Sequence, residues 1–85
     1  MCQSCRISII MIRDDNKILE KFGMKLRIER VKRKLSQEAL AELADLNRRT
    51  ISTIETGDTV PSIVTVDRLA KGLGIELYKL FIFED

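Results

Sequence analysis

Residues 36–57, "SQEALAELADLNRRTISTIETG", constrain the fold more than any other stretch. They hold two short helical patterns with only three residues between them. Ser36 is placed to cap the first, whose inner stripe reads Leu40, Leu43 and Ala44. Asp45-Leu46-Asn47 breaks that pattern, and Asn47 is placed to cap the next helix, the third in the chain, running to about Thr56. Gly57 then ends it, because glycine enters the left-handed region at little cost. This third helix has two unlike sides. Ile51 and Ile54 fall on one, while Arg49, Ser52, Thr53 and Thr56 fall on the other.

The flanking sequence is helical as well. From about Asp15 to Lys34, Leu19, Phe22, Leu26 and Arg30 recur at steps of three and four. Asp14, Asp15 or Asn16 could cap the start of this helix. Pro61 forbids helix at Val60. Ser62 then caps a further helix with the stripe Val66, Leu69, Ala70 and Leu73, closed by Gly74. "IELYKLFIFED" reads as a fifth short helix and a tail. Five helices and no strand predict one all-α domain over residues 14–83. Residues 1–13 form an N-terminal arm that fits a disordered segment, a short strand or an interface segment. Residues 1–10 are expected to be dispensable for the domain's binding role.

Composition narrows the function. The chain has 85 residues, enough for one small domain with a modest core. It contains no histidine, so the commonest general base and metal ligand are missing. Cys2 and Cys5 make a single C-x-x-C, too few ligands for a structural zinc site and without the strand-helix context of a redox motif. No metal, cofactor or catalytic residue is expected, and no nucleophile–base pair stands out. "ISIIMI" (residues 7–12) is too short to span a bilayer and lacks a cleavage signal, so a cytoplasmic location is expected. Met11 and Met24 are alternative starts. Net charge is only +2, yet Lys17, Lys21, Lys25, Arg27, Arg30, Lys32, Arg33 and Lys34 crowd one stretch against Glu20 and Glu29. That stretch fits either an anionic partner or a solvated helix face.

Two short helices joined by so short a break suggest a helix-turn-helix. Ala41 and Ala44 are small where the second helix must cross the third, and Leu46, Ile51 and Ile54 fill the angle between them. At this point "LSQEALAELADLNRRTISTIETGDTVPS", followed by "LAKGLGIELYKLF", resembles the phage-repressor-like family (Cro and lambda-repressor type, or Xre) of DNA-binding domains. The resemblance spans roughly residues 17–81 and rests on Ser36-Gln37-Glu38, Leu40-Ala41, Ile51-Ser52, Ile54-Glu55, Gly57 and Pro61, in that order. Lys34 and Asp45 depart from it, each standing where the family usually has glycine.

The resemblance implies that the third helix lies in the DNA major groove, which admits one helix and exposes a readable pattern of base edges. Asn47, Arg48, Arg49, Ser52 and Thr53 then become the base-contacting candidates. Arginine suits guanine because its planar fork matches O6 and N7. Gln37 and the loop residues Thr56, Gly57 and Thr59 become the phosphate-contacting candidates, with Asp58 expected to point away. Lys32, Arg33 and Lys34 either add long-range attraction or remain solvated surface charge.

Two further expectations concern packing. Arg30 continues a buried stripe and Glu55 lies on the inward side of the third helix, so each charge is misplaced unless they meet; a salt bridge between them is expected. One recognition helix reads few base pairs, so the function expected is a repressor-type regulator binding a palindrome as a homodimer. In "LYKLFIF", helical spacing turns Leu77, Leu80 and Phe81 inward and leaves Tyr78, Ile82 and Phe83 for the partner copy. Alternatively the tail folds over its own core. The partners expected are double-stranded DNA and a second copy of the chain, with no membrane and, for want of a second domain, no small-molecule effector. A protein-interaction module on the same fold and an antitoxin-like autoregulator are the competing functions.

Overall fold

A computed structural model describes residues 15–83. The N-terminal arm, its cysteines and the "ISIIMI" run lie outside the described residues, so the expectations placed on them have no structural counterpart here. Four α-helices and one 3₁₀ helix follow in order: α1 Asp15–Lys32, α2 Gln37–Ala44, α3 Arg48–Glu55, α4 Ile63–Leu73 and η1 Leu77–Phe81. No strand occurs among the described residues.

Capping sets the helix boundaries. The hydroxyl of Ser36 accepts from the Ala39 N–H at 3.0 Å, Asn47 Oδ1 accepts from the Thr50 N–H at 2.8 Å, and Ser62 Oγ accepts from the Thr65 N–H at 3.1 Å. Each bond satisfies one of the orphan donors of a helix start. The left-handed stops are Lys34 (φ 58°), Asp45 (φ 59°), Gly57 (φ 81°) and Gly74 (φ 74°). Lys34 and Asp45 thus adopt the backbone expected of glycine at both departures from the family pattern. The turn geometry is kept, with strain of about 1–2 kcal/mol at a residue bearing a Cβ.

One core joins the elements. Phe22 and Leu26 of α1, Leu40, Ala41 and Ala44 of α2, Ile51 and Ile54 of α3, Val66, Leu69, Ala70 and Leu73 of α4, and Leu80 of η1 are all buried. Leu46 packs partly buried against them, in the turn between α2 and α3. Close backbone approaches fix how α1 and α2 sit on their neighbours. A Cβ at Gly23 would lie 2.5 Å from the Ile54 carbonyl oxygen, so α1 meets the end of α3 backbone to backbone. A Cβ at Gly72 would lie 3.3 Å from that of Ala44, so α2 also meets α4 closely at Ala44.

Two further expectations need correction. Leu43 is 59% exposed and is not part of the inner stripe of α2. A two-turn helix buries a narrow sector, and Ala41 takes the place that Leu43 was expected to hold. The fifth helix is 3₁₀, not α. With about three residues per turn, Leu77, Leu80 and Phe83 come round to one side. Leu80 is buried and Leu77 and Phe83 pack partly buried against the core, while Phe81 is 45% exposed. The inward assignment of Phe81 therefore fails, and Phe83 turns more toward its own chain than toward solvent. Phe81 still touches Phe22, with ring centroids 5.5 Å apart.

Candidate nucleic-acid interface

The site is the outward side of α3 with the residues that hold that helix in place. Ile51 and Ile54 anchor the inner side and are fully buried. At the end of the helix, Glu55 is fixed from two directions. The Arg30 guanidinium donates from Nε to Glu55 Oε2 at 2.6 Å and from Nη2 to Oε1 at 3.1 Å, with side-chain exposures of 12% and 4%. This bidentate pairing fixes orientation as well as distance. Arg30 Nη1 also donates to the Leu35 carbonyl at 2.7 Å, which ties the α1–α2 turn to the same centre.

Gln37, a phosphate-contact candidate, belongs to this centre too. Its Nε2 donates to Glu55 Oε1 at 3.0 Å. A carboxylate only accepts, so the amide must present its nitrogen here. One of Gln37's two amide protons is thereby engaged inside the protein. The Arg30–Glu55–Gln37 cluster links the end of α1, the start of α2 and the end of α3, and so sets the angle at which α3 is presented.

A second cluster explains much of the basic stretch. Glu29 is buried, with Lys25 Nζ at 2.9 Å, Arg33 Nη1 at 2.6 Å and Lys32 Nζ at 3.5 Å. Hydrogen bonds from Lys25 and then Arg33 hold its carboxyl down to about 2, against the opposing effect of burial. Arg33 Nε also donates to the Leu73 carbonyl at 2.9 Å and so satisfies the end of α4. Arg33, one of the three residues considered for long-range attraction to DNA, is therefore a clamp between α1 and α4. Spacing alone signals the Lys25–Glu29–Arg33 run, since its members stand four residues apart.

Arg48 and Arg49 differ from these. Both are exposed and neither has an ion pair or a side-chain hydrogen bond among the described residues. They occupy the first turn of α3, which contains no acidic residue. The helix dipole makes this end positive, so two cations there oppose folding by some tenths of a kcal/mol each. Helical spacing puts Arg49, Ser52, Thr53 and Thr56 on the outward side, with Arg48 turned toward its flank. Asn47 Oδ1 is occupied by the Thr50 N–H and by the Thr50 hydroxyl at 2.9 Å, so only its NH₂ group remains to face outward.

The loop after α3 offers fewer phosphate donors than its sequence suggests. The Gly57 N–H donates to the Ile54 carbonyl at 3.1 Å and the Asp58 N–H to the Thr53 carbonyl at 2.9 Å. The Thr56 hydroxyl is shared between the Thr53 carbonyl at 3.1 Å and Asp58 Oδ2 at 3.0 Å. Gly57 therefore serves the turn through its backbone angle. Thr59 keeps a hydroxyl with no partner among the described residues.

This arrangement has counterparts in known proteins. Residues 26–80 match the family model HTH_3, described as helix-turn-helix. The chain belongs to that helix-turn-helix family. Among its relatives, control protein C.MunI of a Mycoplasma species is 42% identical over 67 residues, covering 78% of this chain and 90% of that protein. Control protein C.BamHI of Bacillus amyloliquefaciens is 39% identical over 69 residues, covering 80% and 85%. The restriction–modification controller protein C.AhdI of Aeromonas hydrophila superposes with a TM-score of 0.78 at 41% identity, covering 80% of this chain and 99% of that one. Within the helix-turn-helix family α2 and α3 are the motif, and α3 is its second helix. No described helix is long and apolar enough to cross a membrane.

Proposed function

We propose that the chain is a DNA-binding transcriptional regulator of the restriction–modification controller type, which reads a palindromic operator as a homodimer. It acts by binding, in the cytoplasm, and catalyses no reaction. The observation that carries this reading is the contrast on α3: an inner side fixed by Ile51, Ile54 and Glu55, and an outer side with two unpartnered arginines at the end where the helix dipole disfavours them. The likeness to the control proteins named above supports the controller type.

Arg49 and Thr53, with Ser52 and the flanking Asn47 and Arg48, contact bases in this reading. Gln37, Thr59 and the first N–H groups of α2 face phosphates, with Thr56 and Gly57 shaping the loop. Two copies associate through the C-terminal end, where Tyr78 is 62% and Ile82 53% exposed and Phe81 lies between them in sequence. Phe83 contributes less than expected from sequence, since it already packs on its own core.

Selection of bound fragments from random duplex DNA tests the reading. The expected product is a palindrome whose half-sites lie about one DNA turn (~34 Å) apart. Replacing Tyr78 and Ile82 together with Asp is expected to give a folded monomer by sedimentation, with much weaker operator binding. Random fragments with no enriched sequence would refute the proposal, and a double variant that still sediments as a dimer would move the interface elsewhere.

A further inference from the structure

The threonines of α3 are linked at steps of three. The Thr50 hydroxyl donates to Asn47 Oδ1 at 2.9 Å, the Thr53 hydroxyl to the Thr50 carbonyl at 3.1 Å, and the Thr56 hydroxyl to the Thr53 carbonyl or Asp58 Oδ2. A threonine hydroxyl has one proton and two lone pairs. Along this ladder every proton is directed into the protein, toward the start of the helix or the following loop. What each hydroxyl still offers outward is an acceptor. The first turn offers the reverse: Arg48 and Arg49 are donors only, and Asn47 has both lone pairs of Oδ1 occupied, leaving its NH₂.

We infer that α3 reads DNA with a fixed polarity, donors from Asn47, Arg48 and Arg49 and an acceptor from Thr53, so that Thr53 selects an amino-bearing base. This rests on the DNA-reading role proposed above and specifies what that role recognises. In the major groove adenine presents N6–H₂ and cytosine N4–H₂, whereas guanine and thymine present the acceptors O6 and O4. Each base pair carries one amino base and one keto base. An acceptor at Thr53 therefore decides which strand the amino base is on: adenine or cytosine faces Thr53, and guanine or thymine is rejected. Arg49, one turn earlier, calls for the opposite chemistry and takes guanine. Ser52 has no side-chain partner among the described residues and keeps both polarities, so it adds little discrimination.

The test uses the full chain and two selections from random duplex DNA, one with the wild type and one with Thr53→Val. Valine keeps the branched shape and the methyl contact but cannot accept a hydrogen bond. One base pair per half-site is expected to lose its preference in the variant, and the wild type is expected to select adenine or cytosine there. Replacing that adenine with purine, which lacks the 6-amino group (or cytosine with 2-pyrimidinone), should weaken wild-type binding about five- to tenfold and leave Thr53→Val binding unchanged. Selection of guanine or thymine at that pair, or equal losses in both proteins, overturns the inference while the DNA-reading role stands. No enriched sequence with either protein, and no effect of Arg49→Ala, overturns both together.

Discussion

Arg30 and Arg33 close α1, and Arg48 and Arg49 open α3, yet the fold treats the two pairs in opposite ways. The first pair stands at a helix C-terminus, where the dipole favours cations, and every contact it makes is to the protein: Glu55, Leu35, Glu29 and Leu73. The second pair stands at a helix N-terminus, where the dipole disfavours cations, and makes no ion pair or side-chain hydrogen bond among the described residues. One residue type thus serves architecture at one place and is left available at another. Charge counting along the sequence does not separate the two uses. Half of the eight cations from Lys17 to Lys34 (Lys25, Arg30, Lys32 and Arg33) are paired with Glu29 or Glu55, whereas both arginines on α3 lack an ion pair among the described residues.

The comparison is broken most forcefully at Arg30. Arg30→Ala strands the Glu55 carboxylate, whose side chain is 4% exposed, and releases the Gln37 amide bonded to it. A loss of about 3 kcal/mol in urea unfolding is expected, toward the lower end for a buried pair because Arg30 retains some solvent. Glu55→Gln should lose less, since the amide oxygen still accepts from the guanidinium. If Arg30→Ala unfolded like the wild type, the pair would not be setting the angle of α3.

Arg49→Ala is the counterpart on the other side. Stability should stay within about 0.5 kcal/mol of wild type, with a small gain from relief of the dipole penalty. Operator binding should weaken by about 2 kcal/mol, and the preference for guanine at one base pair should relax. Fluorescence anisotropy with operator and mutant-operator duplexes separates the two effects. A matching loss of stability would mean that Arg49 belongs with Arg30.

The architectural pair also carries a pH signature that the exposed pair lacks. Glu29 is held down to about 2 from an ordinary value of 4.5, chiefly by its hydrogen bonds to Lys25 and Arg33. The folded-state value is the lower one, so the contribution is fully present above about pH 4.5 and is lost as the pH falls toward 2. Lys32 and Arg33 are partly solvated, which reduces the effect to on the order of 1–2 kcal/mol. Unfolding of the wild type and of Glu29→Gln should therefore converge as the pH falls through this window. Parallel curves would assign the acid sensitivity to other carboxylates.

Much of this division is legible in the sequence. Ser36, Asn47 and Ser62 mark the helix starts because local bonds decide them, and these bonds need no tertiary information. Arg30 and Glu55 stand out because each continues an apolar stripe. The missed features depend on what lies across space or on small energy differences. Arg33 finds the Leu73 carbonyl forty residues away, a partner no local pattern marks. Leu43 and Ala41 compete for the inner side of a two-turn helix, and the winner is set by how α2 lies on α4. The tail takes 3₁₀ geometry because Leu77, Leu80 and Phe83 together meet the core at that pitch. The threonine ladder was out of reach since a hydroxyl's orientation follows from the helix it sits on.

The smallest expected effect concerns the two left-handed stops that flank α2. Lys34 and Asp45 hold φ near 58° and 59°, and neither position requires its side chain for a contact with the core. Glycine at either would remove strain of about 1–2 kcal/mol but would add chain entropy of about 0.5–1 kcal/mol to the unfolded state. Asp tolerates the left-handed region better than Lys, so less strain is there to relieve. Lys34→Gly is therefore expected to stabilise by about 0.5 kcal/mol and Asp45→Gly by close to nothing, both measured by urea unfolding. Because Lys34 lies between Arg33 and Leu35, whose carbonyl Arg30 holds, the substitution also asks whether the architectural arginines depend on a strained turn. A gain in Lys34→Gly with the affinity for operator unchanged would show that they do not. A loss would mean that the lysine itself, and not its backbone angle, helps to keep α1 and α2 in place.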